Sequence, residues 1–264
     1  MGYGNALACS TRFETLGLSG AIGTLVTSGS GAYGTLTTIG TTSFDYDGFI
    51  VDFQPYTSTS VTQARVTITA GNGGGDEAIV ADYFIDGSYV YSARSVDFAV
   101  AVPKGAVLKA KLYGPNTSVA EWMTICGYQG DGRRPRGFSR VVSLTDWTGQ
   151  DPTGSITMTG TTQTGWAQIQ ASSPNRAGGL YWMLDGRGKG NSGLTSLRAS
   201  FDIGWGASGS ERVFYQIATW TNIANGHGGP IPCDFPAGTR FAFRGIASGT
   251  DTDVLSIVLC GLAA

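Results

Sequence analysis

Apolar and polar residues alternate with a period of two along several short segments of the chain. Val66, Ile68 and Ala70 alternate with Thr67 and Thr69, and the same pattern recurs at 197–203 and 241–244. Successive side chains of a strand point to opposite faces, so this alternation predicts strands with one buried face. Gly, Pro, Asn and Asp separate the segments, and no long 3.6-residue apolar period is present. The pattern therefore predicts an all-β protein.

Similar segments occur twice, in the same order. Residues 34–42 resemble 154–162, 102–105 resemble 235–238, and 124–127 resemble 258–261. Short strands divided by turns, repeated in this way, predict two tandem antiparallel β-sandwich domains, jelly-roll-like, that arose by internal duplication. Fewer residues separate the two members of the first pair than separate the members of the other two pairs. This difference predicts extra residues in the second copy, most of them between Thr162 and Gly178.

The repeats also set expected domain limits and expected strand faces. We expect an N-terminal segment at 1–11, a first sandwich at 12–128, a polar Gly/Pro/Arg linker at 129–137 and a second sandwich at 138–264. The alternation predicts that Ile79, Ala81 and Tyr83 face the interior of the first sandwich. Val213, Tyr215 and Ile217 are expected to do the same in the second.

Composition narrows the class of function. Only 14% of residues are charged, against about 25% in typical domains. The 17 basic and 19 acidic residues leave a net charge of −2, which argues against nucleic acid as a main partner. No apolar run is long enough to predict a membrane span. The first residues also lack the basic start and apolar run of a secretion signal.

Catalytic and metal-binding patterns are absent from the sequence. The single histidine, His227, excludes any site that needs two imidazoles, and no GxSxG motif occurs. The four cysteines form no CxxC pair, and Cys126 and Cys260 occupy equivalent places in the repeat. Asp45 and Asp47 could hold calcium or act as a catalytic pair, but their turn-like surroundings favour a structural role. We expect no enzyme activity, no catalytic residue, no metal and no cofactor.

Aromatic residues suggest a binding role for the second copy. It carries five of the six tryptophans and a Gly-rich segment around His227. Loops on a rigid sandwich are common binding sites, and aromatic rings can stack on the apolar faces of sugars. Trp205, Trp220, Asn225 and His227 are therefore the predicted glycan-binding residues, with packing in the core as the competing role for the tryptophans.

The chain resembles the tandem jelly-roll surface proteins of tailed bacteriophages and of phage-like gene transfer agents, which include spikes, fibres and decoration proteins. The resemblance lies in the duplicated Gly/Ser/Thr-rich strands, in the Cys-Gly pairs that begin at Cys126 and Cys260, and in the uncharged end at Ala264.

This resemblance implies a non-enzymatic structural or adhesive component at the surface of a particle that is assembled in the host cytoplasm. The implied partners are other capsid or tail proteins, further copies of the chain and host surface polysaccharide. Two other functions remain open: a secreted lectin or carbohydrate-binding module, and a β-sandwich glycoside hydrolase.

Overall fold

The computed structural model describes residues 10–18, 23–55, 64–73, 77–85, 94–114, 120–130, 139–145, 147–148, 151–152, 154–159, 161–185, 198–220, 227–248 and 252–263. All regular structure in these ranges is β-strand, and the prediction of an all-β fold is confirmed. A search of the same ranges finds no helix that could cross a membrane. The chain divides into two compact units, one formed by Met1–Val142 with Leu262–Ala264 and the other by Ser143–Gly261.

Unit 1 contains two sheets. One has the strand order β1-β10-β5-β8 with β2 also on β10, and the other runs β11-β7-β6-β9-β3 with β4 also on β9. The strand pairs are antiparallel except for β11 and β7, which form a parallel bridge between Val141 and Ala81. The strands are β1 Ser10–Leu16, β2 Thr24–Thr27, β3 Ala32–Tyr33, β4 Thr37–Thr41, β5 Gly48–Pro55, β6 Ala64–Gly71, β7 Glu77–Ile85, β8 Arg94–Phe98, β9 Val107–Gly114, β10 Ala120–Gly130 and β11 Arg140–Ser143.

Unit 2 also contains two main sheets. One joins β19, β16, β21 and β14, and the other has four strands in the order β15-β20-β17-β18. Its core includes Phe201, Phe241, Phe243 and Leu259, all fully buried. The strands are β12 Trp147–Thr148, β13 Asp151–Pro152, β14 Ser155–Thr159, β15 Ala167–Gln170, β16 Ala177–Asp185, β17 Arg198–Trp205, β18 Arg212–Trp220, β19 His227–Phe235, β20 Phe241–Ala247 and β21 Thr252–Ala263.

Strand pairing repeats from one unit to the other. The chain of neighbours β4-β9-β6-β7 in unit 1 matches β15-β20-β17-β18 in unit 2, and β2-β10-β5-β8 matches β14-β21-β16-β19. Each matched pair is antiparallel. The internal duplication is therefore visible in the hydrogen-bond pattern as well as in the sequence.

The two units also share their β-bulges. Register shifts occur at Ile39 in the β4–β9 pair and at Ile169 in the β15–β20 pair, and both side chains are buried. Further shifts pass over Val80 in β6–β7 and Phe214 in β17–β18. Phe214 follows Val80 by the same number of residues as Cys260 follows Cys126. β-Bulges that occur at matching positions in both units are specific features of the fold and not local irregularities.

These bulges overturn part of the predicted burial. The interior positions predicted for Ala81, Tyr83 and Ile217 are correct, but Ile79 is 45% exposed and Val213 is 43% exposed. Tyr215 is also exposed, at 37%. A bulge inserts one residue into a strand and so inverts the two faces beyond it. Strict alternation continued through the bulge therefore assigned Ile79 and Val213 to the wrong face.

A shared turn confirms that residues 102–105 and 235–238 occupy equivalent places in the two units. Gly105 and Gly238, each two residues after a proline, have φ of 81° and 86°, a region that favours glycine. Their N–H groups donate to the carbonyl oxygens of Thr42 and Ser173, at 2.9 and 2.8 Å. Each Pro-x-Gly turn is thus fixed to the segment that follows β4 or β15.

Residues 34–42 and 154–162 resemble each other in sequence but do not occupy equivalent places in the two units. Residues 37–41 form β4, which pairs with β9, whereas residues 155–159 form β14, which pairs with β21. By pairing, β14 corresponds to β2 and β15 corresponds to β4. The extra length of the second copy consequently falls not after Thr162 but between β16 and β17, where 186–197 replace the shorter 56–63.

The division between the units lies after Val142. Strand β10 continues to Gly130, so the first residues of the predicted linker belong to a strand. Residues 131–138 lie outside the described residues, and the predicted domain limits stay a prediction.

Candidate functional site

The structure does not bring the predicted glycan-binding tryptophans together. Trp205 pairs with Arg212 at one end of the β17–β18 hairpin, and Trp220 pairs with Arg198 at the other. At about 3.3 Å per residue, the two ends are roughly 20 Å apart. The two tryptophans therefore cannot contact one sugar ring.

Trp205 lies on the core-facing side of β17. It shares this face with the buried Phe201 and Ile203. Its ring packs 5.5 Å from that of Phe235, which in turn stands edge-on to Phe241 at 5.2 Å. The Trp205 ring thus extends an internal aromatic group and is only partly exposed.

The remaining predicted residues are only partly described. His227 begins β19, where its backbone pairs with Met183. The side chains of His227 and Trp220, and all of Asn225, lie outside the described residues.

A different set of side chains converges on the outward face of the four-stranded sheet of unit 2. Asp202 lies in the middle of β17, with its side chain only 6% exposed. Its carboxylate accepts hydrogen bonds from Gln163 Nε2 at 3.0 Å, Gln216 Nε2 at 2.8 Å and Arg244 Nε at 2.8 Å. We call Gln163, Trp166, Asp202, Gln216 and Arg244 the Asp202 cluster.

The carboxylate orients both glutamines of the Asp202 cluster. An ionised carboxylate only accepts hydrogen bonds, so each amide turns its nitrogen toward Asp202. Each amide oxygen then faces away from Asp202, on side chains that are exposed to solvent. One buried charge therefore fixes the direction of two surface acceptors.

Trp166 completes the Asp202 cluster and depends on a glycine beneath it. A Cβ atom on Gly204 would come within 2.6 Å of the Trp166 ring, so the ring occupies the space that a side chain would fill. The guanidinium carbon of Arg244 lies 4.5 Å from the ring centroid. Thr164 holds the segment in place, because its N–H donates to Gly245 O at 2.8 Å and its Oγ1 accepts from Gly245 N at 3.0 Å.

Unit 1 has different residues at the matching positions. Asp202 pairs across the sheet with Gln216 and Arg244. Its counterpart Thr67 pairs with Asp82 and Lys111. The carboxylate of unit 1 therefore lies one strand away, at Asp82, and accepts from Arg65 and Thr67 instead of from two amides and an arginine.

One feature of the cluster is nevertheless common to both units. Lys111 lies over the ring of Tyr33 at 4.4 Å, as Arg244 lies over Trp166. A cation stacked on an aromatic ring is thus retained in both copies. The arrangement of donors around a central carboxylate belongs to unit 2.

Sequence reasoning placed Asp202 outward, between the inward Phe201 and Ile203, but did not single it out. The other members of the Asp202 cluster come from three separate segments, which only strand pairing brings together. A carboxylate in the middle of a strand, between two large apolar residues, is the signal that could have drawn attention to this position.

The other reactive side chains have structural surroundings. Burial raises the pKa of the Cys126 thiol, and it raises the pKa of Cys233 to about 11, with help from the neighbouring charge of Asp234. Asp45 accepts from Lys104 N at 2.7 Å and Asp47 from Gly130 N at 2.8 Å, so each carboxylate fixes a backbone segment. Within the described ranges, no group of three or more His, Cys, Asp or Glu side chains could hold a metal ion.

Comparison with known proteins gives distant structural likeness only. No protein-family model matches the chain, and no curated protein matches it. Similar solved structures include the STIV MCP, with a TM-score of 0.41, 9% identity and coverage of 96% of this chain and 97% of that chain.

Two further structures are also distantly similar. The atomic structure of Sulfolobus Turreted Icosahedral Virus has a TM-score of 0.42 and 9% identity, and covers 95% of this chain and 90% of that one. The Cowpea mosaic virus top component has a TM-score of 0.32 and 9% identity, with 97% and 90% covered. The fold assignment for this chain comes from its own strand pairing.

Proposed function

We infer that the protein is a non-enzymatic structural component at the surface of a phage-like particle, and that its second unit contacts surface polysaccharide through the Asp202 cluster. The observation that carries this proposal is the divergence between the two copies. Both keep the same strand pairing, bulges and Pro-x-Gly turns, while the central carboxylate with its three donors belongs to the second. The two copies share one fold, and the second carries this polar and aromatic surface. Such a difference suits a protein in which one copy serves attachment and the other serves recognition.

The attachment role is supported by exposed apolar residues at matching positions. Ile79 and Val213 occupy equivalent places beside equivalent bulges, and each is more than two-fifths exposed. A large apolar side chain kept at the surface of both copies suits contact with another protein. Copies of one chain in a symmetric particle meet the same neighbours.

The recognition role is supported by the chemistry of the Asp202 cluster. It combines an aromatic ring, two amide oxygens held in place and a guanidinium group on one rigid sheet. Sugar rings bind through stacking of their apolar faces and hydrogen bonds to their hydroxyls, so this combination suits a glycan. Trp205, Trp220, Asn225 and His227 remain sequence-based candidates for further glycan contact.

Several features argue for a non-catalytic role. Asp202 is paired with Arg244 and engaged by two amides, whereas a general acid or base must exchange its proton with a substrate. Cys233, with a pKa of about 11, is a neutral thiol at physiological pH and hence a poor nucleophile.

Particle membership is tested by separating a lysed producer culture on a density gradient and probing the fractions with an antibody to the protein. We expect the protein in fractions that also contain nuclease-protected DNA. Protein found only in particle-free fractions would overturn the particle proposal, and together with glycan binding it would favour the secreted lectin.

Glycan contact is tested with an array of bacterial surface polysaccharides. We expect the full-length protein to bind, and binding to fall about tenfold or more in Trp166→Ala and Gly204→Thr. The second variant installs a side chain where the Trp166 ring lies, and Gly165→Ala, which meets open space, is its matched control. Equal binding by all three variants would remove the Asp202 cluster from the proposal.

A further inference from the structure

Among the ion-paired arginines of the described residues, Arg244 uses its guanidinium differently from Arg65, Arg176 and Arg240. Arg176 and Arg65 each donate from Nε and Nη2 to both oxygens of one aspartate. Arg240 donates from Nη1 to Glu211 and to Gly206 O. Arg244 binds Asp202 through Nε alone, and no described residue accepts from its two terminal nitrogens.

The terminal nitrogens of Arg244 are held in one direction. Nε is fixed by Asp202 at 2.8 Å, and the guanidinium lies over Trp166 at 4.5 Å. The arginine side chain is 29% exposed while that of Asp202 is 6% exposed. Of the two charged side chains, Arg244 is therefore the one that solvent reaches, and Asp202 holds it in position.

A guanidinium whose terminal nitrogens are free and pre-oriented is suited to an oxyanion with two coplanar oxygens. A carboxylate has this geometry. The single positive charge of Arg244 is already offset by Asp202, so the local field is close to neutral. That balance favours a singly charged carboxylate over a doubly charged phosphate monoester.

We propose that the Asp202 cluster recognises an acidic sugar, with the carboxylate of a uronic acid or a similar residue bound by Arg244 Nη1 and Nη2. The hydroxyls of the sugar donate to the amide oxygens of Gln163 and Gln216, and the sugar lies beside the Trp166 ring that packs against the Arg244 guanidinium. This assignment rests on the proposed glycan-binding function and names its ligand class. Arg244 binds the ligand directly, and Asp202 is a positioning residue.

The probe is a galacturonate oligomer, compared with the same oligomer after reduction of its carboxylates to primary alcohols. Binding to the full-length protein is measured by calorimetry. We expect the carboxylate form to bind at least about tenfold more tightly than the reduced form. A sulfated oligomer is the third arm, and we expect it to bind more weakly than the carboxylate form.

Two variants assign the effect to Arg244. Arg244→Lys keeps the charge but loses the planar pair of nitrogens, and should remove most of the preference for the carboxylate form. Arg176→Lys, in an exposed ion pair elsewhere on unit 2, should leave that preference unchanged. Thermal melting of each variant shows whether it is folded.

The outcomes separate this inference from the proposed function. Equal binding of the carboxylate and reduced oligomers, or preference for the sulfated one, overturns the acidic-sugar assignment but leaves glycan binding in place. Binding only of neutral polysaccharides on the array does the same. Binding of no glycan in either experiment overturns both.

Discussion

At the scale of single residues, Asp202 shows how one carboxylate can organise a surface. It is nearly inaccessible, yet three side chains around it take their direction from its two oxygens. Its counterpart in unit 1, Thr67, is buried as well but donates only a long hydrogen bond, at 3.5 Å, to Asp82. Replacing a hydroxyl by a carboxylate at this position changes what the sheet presents to solvent.

Asp202→Asn should weaken unit 2, because Arg244 loses its ionic partner while the volume is unchanged. We expect a loss of about 2 kcal/mol in the free energy of unfolding, since the amide oxygen can still accept one or two of the hydrogen bonds. Denaturant unfolding followed by tryptophan fluorescence measures it. Asp234→Asn breaks the exposed pair with Arg176 and is the control, with no measurable change expected. A smaller loss at Asp202 than at Asp234 would contradict this account.

At the scale of elements, β1 is fastened to the rest of unit 1 by both backbone and side chains. Its backbone pairs with β10. Glu14 on β1 accepts from Ser43 N at 2.7 Å and from Tyr46 OH at 2.6 Å. Arg12 on the same strand lies over the ring of Phe44 at 4.2 Å. These contacts join β1 to the segment between β4 and β5.

The attachment of β1 should depend on pH. Partial burial alone would raise the pKa of Glu14, but the hydrogen bonds from Ser43 and Tyr46 outweigh it and hold the pKa below its ordinary 4.5. A lowered pKa means that the stabilisation is present above the ordinary value and is lost as the pH falls through the folded-state value.

Thermal melting of the native protein and of Glu14→Gln tests this dependence. The native protein should melt at a higher temperature near neutral pH, and the difference should shrink as the pH falls below 4.5. A difference that stays constant over the whole range would show that the charge of Glu14 is not the cause.

The β-bulges of β7 and β18 determine which apolar side chains reach the surface. In β7 and β18 one extra residue turns the strand over, so that Val80 is buried while Ile79 and Val213 reach solvent. Phe214 turns inward and stands edge-on to Phe235, 5.0 Å away. The same bulge thus fills the interior with one apolar side chain and exposes its neighbour.

At the scale of the whole molecule, the repeated apolar positions lead to a prediction about association. Ile79→Ser combined with Val213→Ser should reduce self-association or incorporation into particles, because both copies lose the same contact surface. Sedimentation velocity at several concentrations measures self-association, and melting temperature should change little because both side chains are exposed.

Leu18→Ser is the matched control for this double variant. Leu18 is 60% exposed, more than either substituted residue, and lies outside the repeated bulges. We expect it to leave association unchanged. A larger effect of Leu18→Ser than of the double variant would mean that general surface hydrophobicity, and not the repeated positions, drives association.

Much of this architecture follows from local patterns in the sequence. Period-two alternation identified strands such as β6, β17 and β20, because the orientation of successive side chains is a property of each strand alone. Turn chemistry matched Gly105 with Gly238, because a positive φ is a local requirement. The all-β class and the duplication depend only on such local signals.

Other features were decided by tertiary structure. Residues 34–42 and 154–162 have similar sequences but different places in the fold, because β4 and β14 form hydrogen bonds with different strands. The bulges that expose Ile79 and Val213 exist only in the register between two strands, and no single strand sequence specifies that register.

The Asp202 cluster has the same origin. Gln163, Asp202 and Arg244 are far apart in the chain, and the pairing of β17 with β20 brings the last two into contact. The sequence determined that Asp202 would point away from the core, since its neighbours Phe201 and Ile203 point into it. Only the folded sheet decided what surrounds it, because hydrogen bonds between side chains depend on distance in space and not on separation along the chain.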